Sequence, residues 1–482
     1  MHVRTRPLAL AGLAVGALGL SSLTPAAARL DALRISSPSG SPTTTAMATT
    51  TEAPSGPLSP TPARAAGAPA PSKPSSKTKT TAPSKPTTTS KATAVTSGTK
   101  FATPVGLPGS NHVSEPGINV APNNDIYING PTGVLRIPTS ASPVYKSTDG
   151  GTTFVATNPS LRVAFPGGGD SNIAIDPGTG ALYMTDLYLA SATVSRSVDG
   201  AASWVANPIE GVVVQDRQWV AAGAGSVVYH VTHQEPAGLV VSRSSAPTDG
   251  LVYPQNIVAA SPVDQEFCLC PPGNLIATKD NVGVIYTTGT GVKFAHSTNG
   301  GLTFSNTVVS PDGAASTSDA FPVVADSGGG KLVAAWLETT TGAASVHFST
   351  SPDWGKTWTA PRTINTGTGT PVYPWIAASG SKVSISMYHS PTVGNPATVP
   401  ANAQFFESYL ESVDGGSTFG ALTTIDATPA KTGPVCTGGI SCNGGRELGD
   451  FQTVTLDNAG KADVSYVRVD NGTTQVMFDH QS

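Results

Sequence analysis

The sequence predicts an all-β protein, a seven-bladed β-propeller whose last blade is completed by a strand from the N-terminal side. Three observations carry this expectation. An eight-residue motif recurs five times, and the same order of short apolar runs and turns precedes each copy. The composition is low in charge (12%) and rich in Gly (52) and Pro (41), and no amphipathic helical stretch of three turns or more is present.

The motif copies are STDGGTTF (Ser147 to Phe154), SVDGAASW (Ser197 to Trp204), STNGGLTF (Ser297 to Phe304), SPDWGKTW (Ser351 to Trp358) and SVDGGSTF (Ser412 to Phe419). Such residues suit a tight turn between antiparallel strands. The short Asp side chain accepts N–H groups of its own turn, Gly tolerates positive φ, and the closing aromatic anchors the next strand in the core. Ala201 breaks the glycine rule, so the second copy is expected to be strained or to turn differently. The central residues Asp149, Asp199, Asn299, Asp353 and Asp414 recur roughly every 50 to 60 positions with one doubled gap. In that gap SAPTDGLVY, with Asp249, Gly250 and Tyr253, reads as a degenerate copy.

Residues 1–28 read as an export signal: a basic start (His2, Arg4, Arg6), an apolar run from Leu8 to Leu20, and Ala26-Ala27-Ala28 as a cleavage site. The run is shorter than the about 20 residues a bilayer-spanning helix needs, and no other stretch is apolar for as long. Residues 29–99, rich in Ser, Thr, Pro and Lys and free of aromatics, cannot bury enough apolar surface to fold and are expected to form a disordered arm. The reading places the mature protein outside the cell or at its envelope, as a monomer with no membrane span. The net charge of −4 and the modest lysine content of the arm give no reason to expect a nucleic-acid partner.

Residues 100–482 form the repeat region. Blade one reads GINVAPNNDIYING and then VYKSTDGG; blade two reads NIAIDPGTGALYMTD and then VSRSVDG. After the last motif, LGDFQTVTLDNAGKADVSYVRV and TQVMFDHQS supply only three strands. The missing one is expected from KFATPVGLPGSNHVSEPGINVAP, starting at Lys100, which parallels TFVATNPSLRVAFPGGGDSNIAIDP, starting at Thr153. Such closure leaves no open sheet edge.

The four cysteines, Cys268, Cys270, Cys436 and Cys442, suggest disulfides in an exported chain. Cys268 and Cys270 are too close in sequence for a relaxed mutual bridge. Either each pairs with one of Cys436 and Cys442, tying two blades across the channel mouth, or the 436–442 loop alone closes.

The loops that enter the innermost strands gather on the face opposite the motif turns. Aligning them places Glu115, Asp170, Asp216, Asp319 and Asp450 at one offset, with Pro272 at that place in blade four and Tyr373 and Trp375 close by in blade six. A carboxylate ring of this kind can bind a hard cation such as calcium, supply acid and base groups for sugar chemistry, or staple neighbouring sheets. Arg136, Arg162, Arg217 and Arg446 fall near the same mouth, where guanidinium groups would grip an acidic glycan, and Trp219 would offer a sugar-stacking surface.

In its Ser–x–Asp–x–Gly–x–Thr–Phe/Trp copies the chain resembles the Asp-box, or BNR repeat, propellers of the sialidase-like superfamily. That resemblance implies a six-bladed alternative and an exo-α-sialidase type of glycoside hydrolysis. Carried over to this sequence, it makes Arg136, Arg217 and Arg446 an anion clamp, Tyr373 and Glu447 a nucleophilic pair, and Asp170 or Asp216 the acid/base. The sequence departs from it in two ways. Its Arg136-Ile137-Pro138 follows a second strand, whereas Glu115-Pro116-Gly117 holds the place where the enzymes' triplet opens the first inner strand, and the repeat spacing counts seven blades. The expected function is therefore binding of an extracellular glycan or glycoprotein at the channel mouth, with Arg136, Arg217, Arg446, Trp219 and Trp375 as ligand contacts. A sialidase-like hydrolase and a protein-interaction platform are the alternatives, and no cofactor is required unless the ring holds calcium.

Overall fold

The computed structural model describes residues 99–132, 142–157, 168–188, 191–208, 214–268, 270–288, 291–311, 320–339 and 342–482. The expected export segment and nearly all of the arm lie outside the described residues, as do Arg136, Arg162 and Asp319. Among the described residues no helix is long and apolar enough to cross a membrane.

Seven antiparallel sheets follow one another along the chain. Their innermost strands are Gly117–Val120, Ser171–Ile175, Gln215–Ala222, Pro272–Ala277, Val323–Gly328, Thr370–Ser379 and Thr453–Leu456, for blades 1 to 7. Blade 7 receives its fourth strand from the N-terminal side: Val105–Gly106 pairs antiparallel with Thr473–His480, and a bridge joins Phe101 to Gln481. Ring and closure are those expected from the repeat spacing.

Each motif forms the same turn. Ser147 Oγ donates to Asp149 Oδ1 (2.8 Å) and accepts from the Gly151 N–H (2.9 Å), while the Thr153 N–H and hydroxyl donate to the two Asp149 oxygens (2.9 and 2.6 Å). These donors, with the matching pair from Ser203, hold Asp149 and Asp199 down to about 2. Asn299 substitutes without loss, accepting from the Thr303 N–H and donating to its hydroxyl. The degenerate copy keeps an Asp-capped turn, with the Ser245 hydroxyl and Val252 N–H both donating to Asp249 Oδ2. Ala201 does not turn differently: it holds φ 71° and the same bond to Ser197, so this copy carries the left-handed strain directly.

The motif glycine has a second role that spacing alone does not reveal. A Cβ on Gly151, Gly355 or Gly416 would run into the ring of Phe478, Phe294 or Phe348, each from the preceding blade. The closing aromatics pack there too, with Phe154 edge-on to Phe478 at 5.1 Å, Trp358 to Phe294 at 5.5 Å and Phe419 to Phe348 at 5.3 Å. Each such pair adds about 0.5–1.5 kcal/mol beyond the area it buries. The motif thus stitches its own blade to the one before it.

Nearer the axis the stitching is done by polar side chains. Asn119 donates to Ile173 O (2.8 Å), the Val220 N–H to Asn172 Oδ1 (3.1 Å) and Thr453 Oγ1 to Pro116 O (2.7 Å). Asn274 both donates to Val324 O and accepts from its N–H, at 2.9 Å each. An amide beside a neighbouring strand satisfies one donor and one acceptor that would otherwise be orphaned at the channel wall.

Candidate binding site at the channel mouth

On the face opposite the motif turns, the innermost strands begin irregularly. The ladder of blade 3 slips between Asp216 and Trp219, and that of blade 6 between Val372 and Trp375. Arg217 (φ 40°) and Tyr373 (φ 51°) sit in these bulges, and Glu115 (φ 47°) leads into blade 1. Non-glycine residues held there cost on the order of 1 kcal/mol each, and a bulge turns a side chain away from the alternation of a regular strand.

The result is a charged cluster drawn from blades 1, 2, 3 and 7. Arg217 Nη1 lies 2.9 Å from Glu115 Oε2 and 3.8 Å from Asp170 Oδ2. Arg446 reaches Glu115 Oε1 at 3.8 Å and grips Asp450 with two nitrogens, its Nε donating to Oδ1 at 3.0 Å. Gly449 lets this loop approach, since a Cβ there would overlap the Glu115 side chain. The Glu115 and Arg217 side chains are 5% and 3% exposed, whereas Arg446 is 37% exposed. Asp216 opens to solvent and caps the Arg217 N–H at 2.9 Å. Burial, with Asp450 and Asp170 beside it, pushes Glu115 up to about 8, against the pull of Arg217 and Arg446. Desolvation in the concave rim and the charge of Asp170 raise Asp216 as well.

Beneath the charges lies an aromatic plug. Trp219 meets Trp375 at 5.5 Å, Phe451 at 5.3 Å and Phe321 at 6.0 Å, so rings from blades 3, 5, 6 and 7 converge on the axis. The Arg217 guanidinium stacks over Trp219 at 4.2 Å and over Phe451 at 4.6 Å. Its Nε and Nη2 are buried without a hydrogen-bond partner, so the rings take the place of acceptors on that side. Below the plug, a cavity of about 460 Å³ is walled by the innermost strands and runs down to Asp326, Ser379 and Asp457, toward the motif face.

Several sequence expectations are corrected here. Trp219 is 2% exposed and its indole N–H donates to Pro272 O (3.1 Å); Trp375 is 9% exposed. Both belong to the plug and offer no open stacking face. Tyr373 and Glu447 do not pair: the tyrosine hydroxyl donates to Cys436 O (2.9 Å), and Glu447 is held by Lys431 Nζ (2.6 Å), which keeps its carboxyl below the usual range. Cross-bridging between blades 4 and 7 does not occur, because Cys268 is joined to Cys270 and Cys436 to Cys442. Among the described residues, Glu115, Asp170, Asp216 and Asp450 accept no backbone N–H from a neighbouring blade; Asn119, Asn172 and Asn274 bond across the sheets instead, and Glu115, Asp170 and Asp450 face arginines.

Of the proposed site residues, then, Glu115, Asp170, Asp216, Asp450, Arg217 and Arg446 are brought together, with Trp219 and Trp375 directly below. Among the described residues no group of three or more His, Cys, Asp or Glu side chains is placed to hold a metal ion, and two guanidinium groups sit among the carboxylates where calcium was considered. Phe321 and Phe451 were missed, although each lies two residues before the first ladder residue of its innermost strand, a signal available in the alignment of the entering loops.

No family model matches the chain, and no curated protein matches it. Among solved structures it is similar to the α-L-arabinanase of Penicillium chrysogenum complexed with arabinobiose, at 11% identity and TM-score 0.44, over 80% of this chain and 98% of that one. It is also similar to the GH74 xyloglucanase of Xanthomonas campestris, at 12% identity and TM-score 0.45, over 78% and 54% of the two chains. A third likeness is to the endosialidase of phage phi92, at 12% identity and TM-score 0.44, over 80% and 69%. With identities and overlaps of this order, no substrate or reaction follows from the likeness.

Proposed function

We propose that this protein is exported on a cleaved leader, held at a distance by the Ser/Thr/Pro/Lys-rich arm, and binds an extracellular glycan or glycosylated surface at the channel mouth. The observation that carries the reading is the cluster of Glu115, Asp170, Asp216 and Asp450 with Arg217 and Arg446, gathered from four blades above a closed floor. A polyol is recognised by fixed carboxylate acceptors and guanidinium donors, and Asp170, Asp216 and Arg446 keep part of their surface open for that purpose. Two disulfides fit an oxidising, extracellular setting. On a glycan array, retention by the wild type that disappears in Asp216→Asn/Arg446→Ala and persists in the motif-face variant Asp149→Asn supports this reading. Equal retention by both variants would end it.

A hydrolytic reading is favoured by one feature, the Glu115 carboxyl that burial pushes up to about 8 within the cluster, since an acid that keeps its proton near neutral pH can serve as a proton donor. Turnover of fluorogenic α-sialosides or other glycosides, lost in Glu115→Gln, would support it. Tyr373→Phe is expected to leave any such turnover intact, because that hydroxyl already serves the Cys436 carbonyl.

A further inference from the structure

Two acids at the seam between blades 6 and 7 have no part in the mouth. Glu407, on the third strand of blade 6 (Gln404–Ser412), and Asp479, on the third strand of blade 7 (Thr473–His480), are 0% and 1% exposed. None of their four carboxyl oxygens has a well-aligned hydrogen bond; the Ser408 N–H lies beside Glu407 and the Tyr466 hydroxyl beside Asp479. Asp426, 3% exposed, joins them from the connection that leaves blade 6. It is well served: the Tyr466 hydroxyl donates to its Oδ2 at 2.8 Å, Arg468 Nη1 lies 3.3 Å from the same oxygen, and the Thr428 N–H donates to Oδ1 at 2.8 Å. Tyr466 has one proton to give, and Asp426 receives it. On the blade 6 side the buried Tyr388 hydroxyl accepts the Val467 N–H at 2.8 Å. The titratable groups around the pair are thus Tyr388, Tyr466 and Asp426, and Arg468, a cation at this seam, is engaged by Asp426.

Two unpaired carboxylates in such surroundings are not tolerated as charges; they keep their protons. Burial first, then Asp479 and Asp426, raise Glu407 well above its ordinary range, and burial followed by Asp426 brings Asp479 up to about 8.

The seam also anchors a functional segment. Asp426 stands at the root of the connection 425–452, which carries the Cys436–Cys442 bridge, Arg446 and Asp450 to the mouth. Within it Lys431–Thr432 pairs with Gln404–Phe405 of the Glu407 strand, and Ala430 O accepts the Val469 N–H of blade 7 at 2.7 Å.

We propose that Glu407 and Asp479 form a proton-held latch: only as neutral acids are they tolerated inside the seam between blades 6 and 7, and alkaline pH loosens the root of the 425–452 connection by ionising them. The latch would move Arg446 and Asp450, but it stands whether or not the mouth binds a glycan. The sign follows from linkage. The folded chain holds protons the unfolded chain has lost, so stability declines from the ordinary carboxyl range of about 4 upward to about 8, where Asp479 ionises.

The test is urea unfolding of the full chain from pH 5 to pH 9, with hydrogen exchange of residues 425–452 corrected for its intrinsic pH dependence. The unfolding constant of the wild type is expected to rise by up to about tenfold per pH unit for each latch acid. Glu407→Gln should remove one proton's share of that slope and retain exchange protection of 425–452 at pH 9, where the wild type loses it. If this variant does not fold, Asp479→Asn is read the same way, and if neither folds, the wild-type protection of 425–452 decides alone. Unchanged wild-type protection between pH 5 and pH 9, or a variant with the wild-type slope, overturns the proposal. So does calcium that restores the wild type at pH 8 and leaves Glu407→Gln unaffected, since a cation would then hold the seam.

Discussion

The two faces of this ring are built on opposite rules. On the motif face one turn is repeated with nearly the same bonds whether its centre is Asp149, Asp199, Asn299, Asp353 or Asp414, and at Phe154, Trp358 and Phe419 the closing aromatic packs on a ring of the blade before it. On the mouth face four blades share a carboxylate at one offset, but what stands around it differs: blade 1 gives a buried glutamate, blade 3 a guanidinium in a bulge, blade 6 a tyrosine and a tryptophan, and blade 7 an Arg446–Asp450 pair. Repetition marks what every blade needs in order to pack. Departure from it marks where residues answer to something other than packing.

Substitutions on each face should respond accordingly. The largest effect is expected from Arg217→Ala, which strands Glu115 and uncovers the plug; it should lower stability by about 3–5 kcal/mol in urea unfolding. Adding Glu115→Gln should recover part of that loss at pH 9, where the carboxyl that burial already holds up to about 8 would otherwise have to ionise without its partner. If the double variant is no better than Arg217→Ala alone, stacking on Trp219 and Phe451 rather than charge pairing is what Arg217 provides. On the motif face, Gly355→Ala should cost about 2 kcal/mol, combining a φ of 77° with overlap on Phe294, whereas Gly150→Ala, with open space around it, should cost about 1. Equal losses at these two sites would remove the inter-blade role given to the motif glycine. The smallest effect is a gain: Ala201→Gly should raise stability by about 1 kcal/mol by relieving the left-handed alanine.

What could be read in the sequence divides along the same line. The turns, the blade count and the N-terminal closing strand were legible because each is local or periodic: Ser147 meets Asp149 two residues on, and Val105 lies where the repeat lacks a strand. The charged residues of the mouth were legible as a set, because Glu115, Asp170, Asp216 and Asp450 share one offset. Their bonding was not. Which acid meets Arg217 depends on bulges that turn one residue out of register, and nothing in the spacing marks them. The plug escaped for a related reason. Trp219, Phe321, Trp375 and Phe451 are scattered over more than 200 positions and become neighbours only when the ring shuts. Of the two cysteine alternatives, local closure of the 436–442 loop is the one found; the Cys268–Cys270 bridge, whose Cα atoms lie 5.0 Å apart, was not expected at a separation of two residues.

The plug also decides what kind of vessel the ring is. With four rings meeting on its axis, the bore resembles a stoppered flask more than a pipe, with Trp219 and Trp375 at the neck above the chamber. The mouth and the chamber below it are thus two separate spaces lined by different residues.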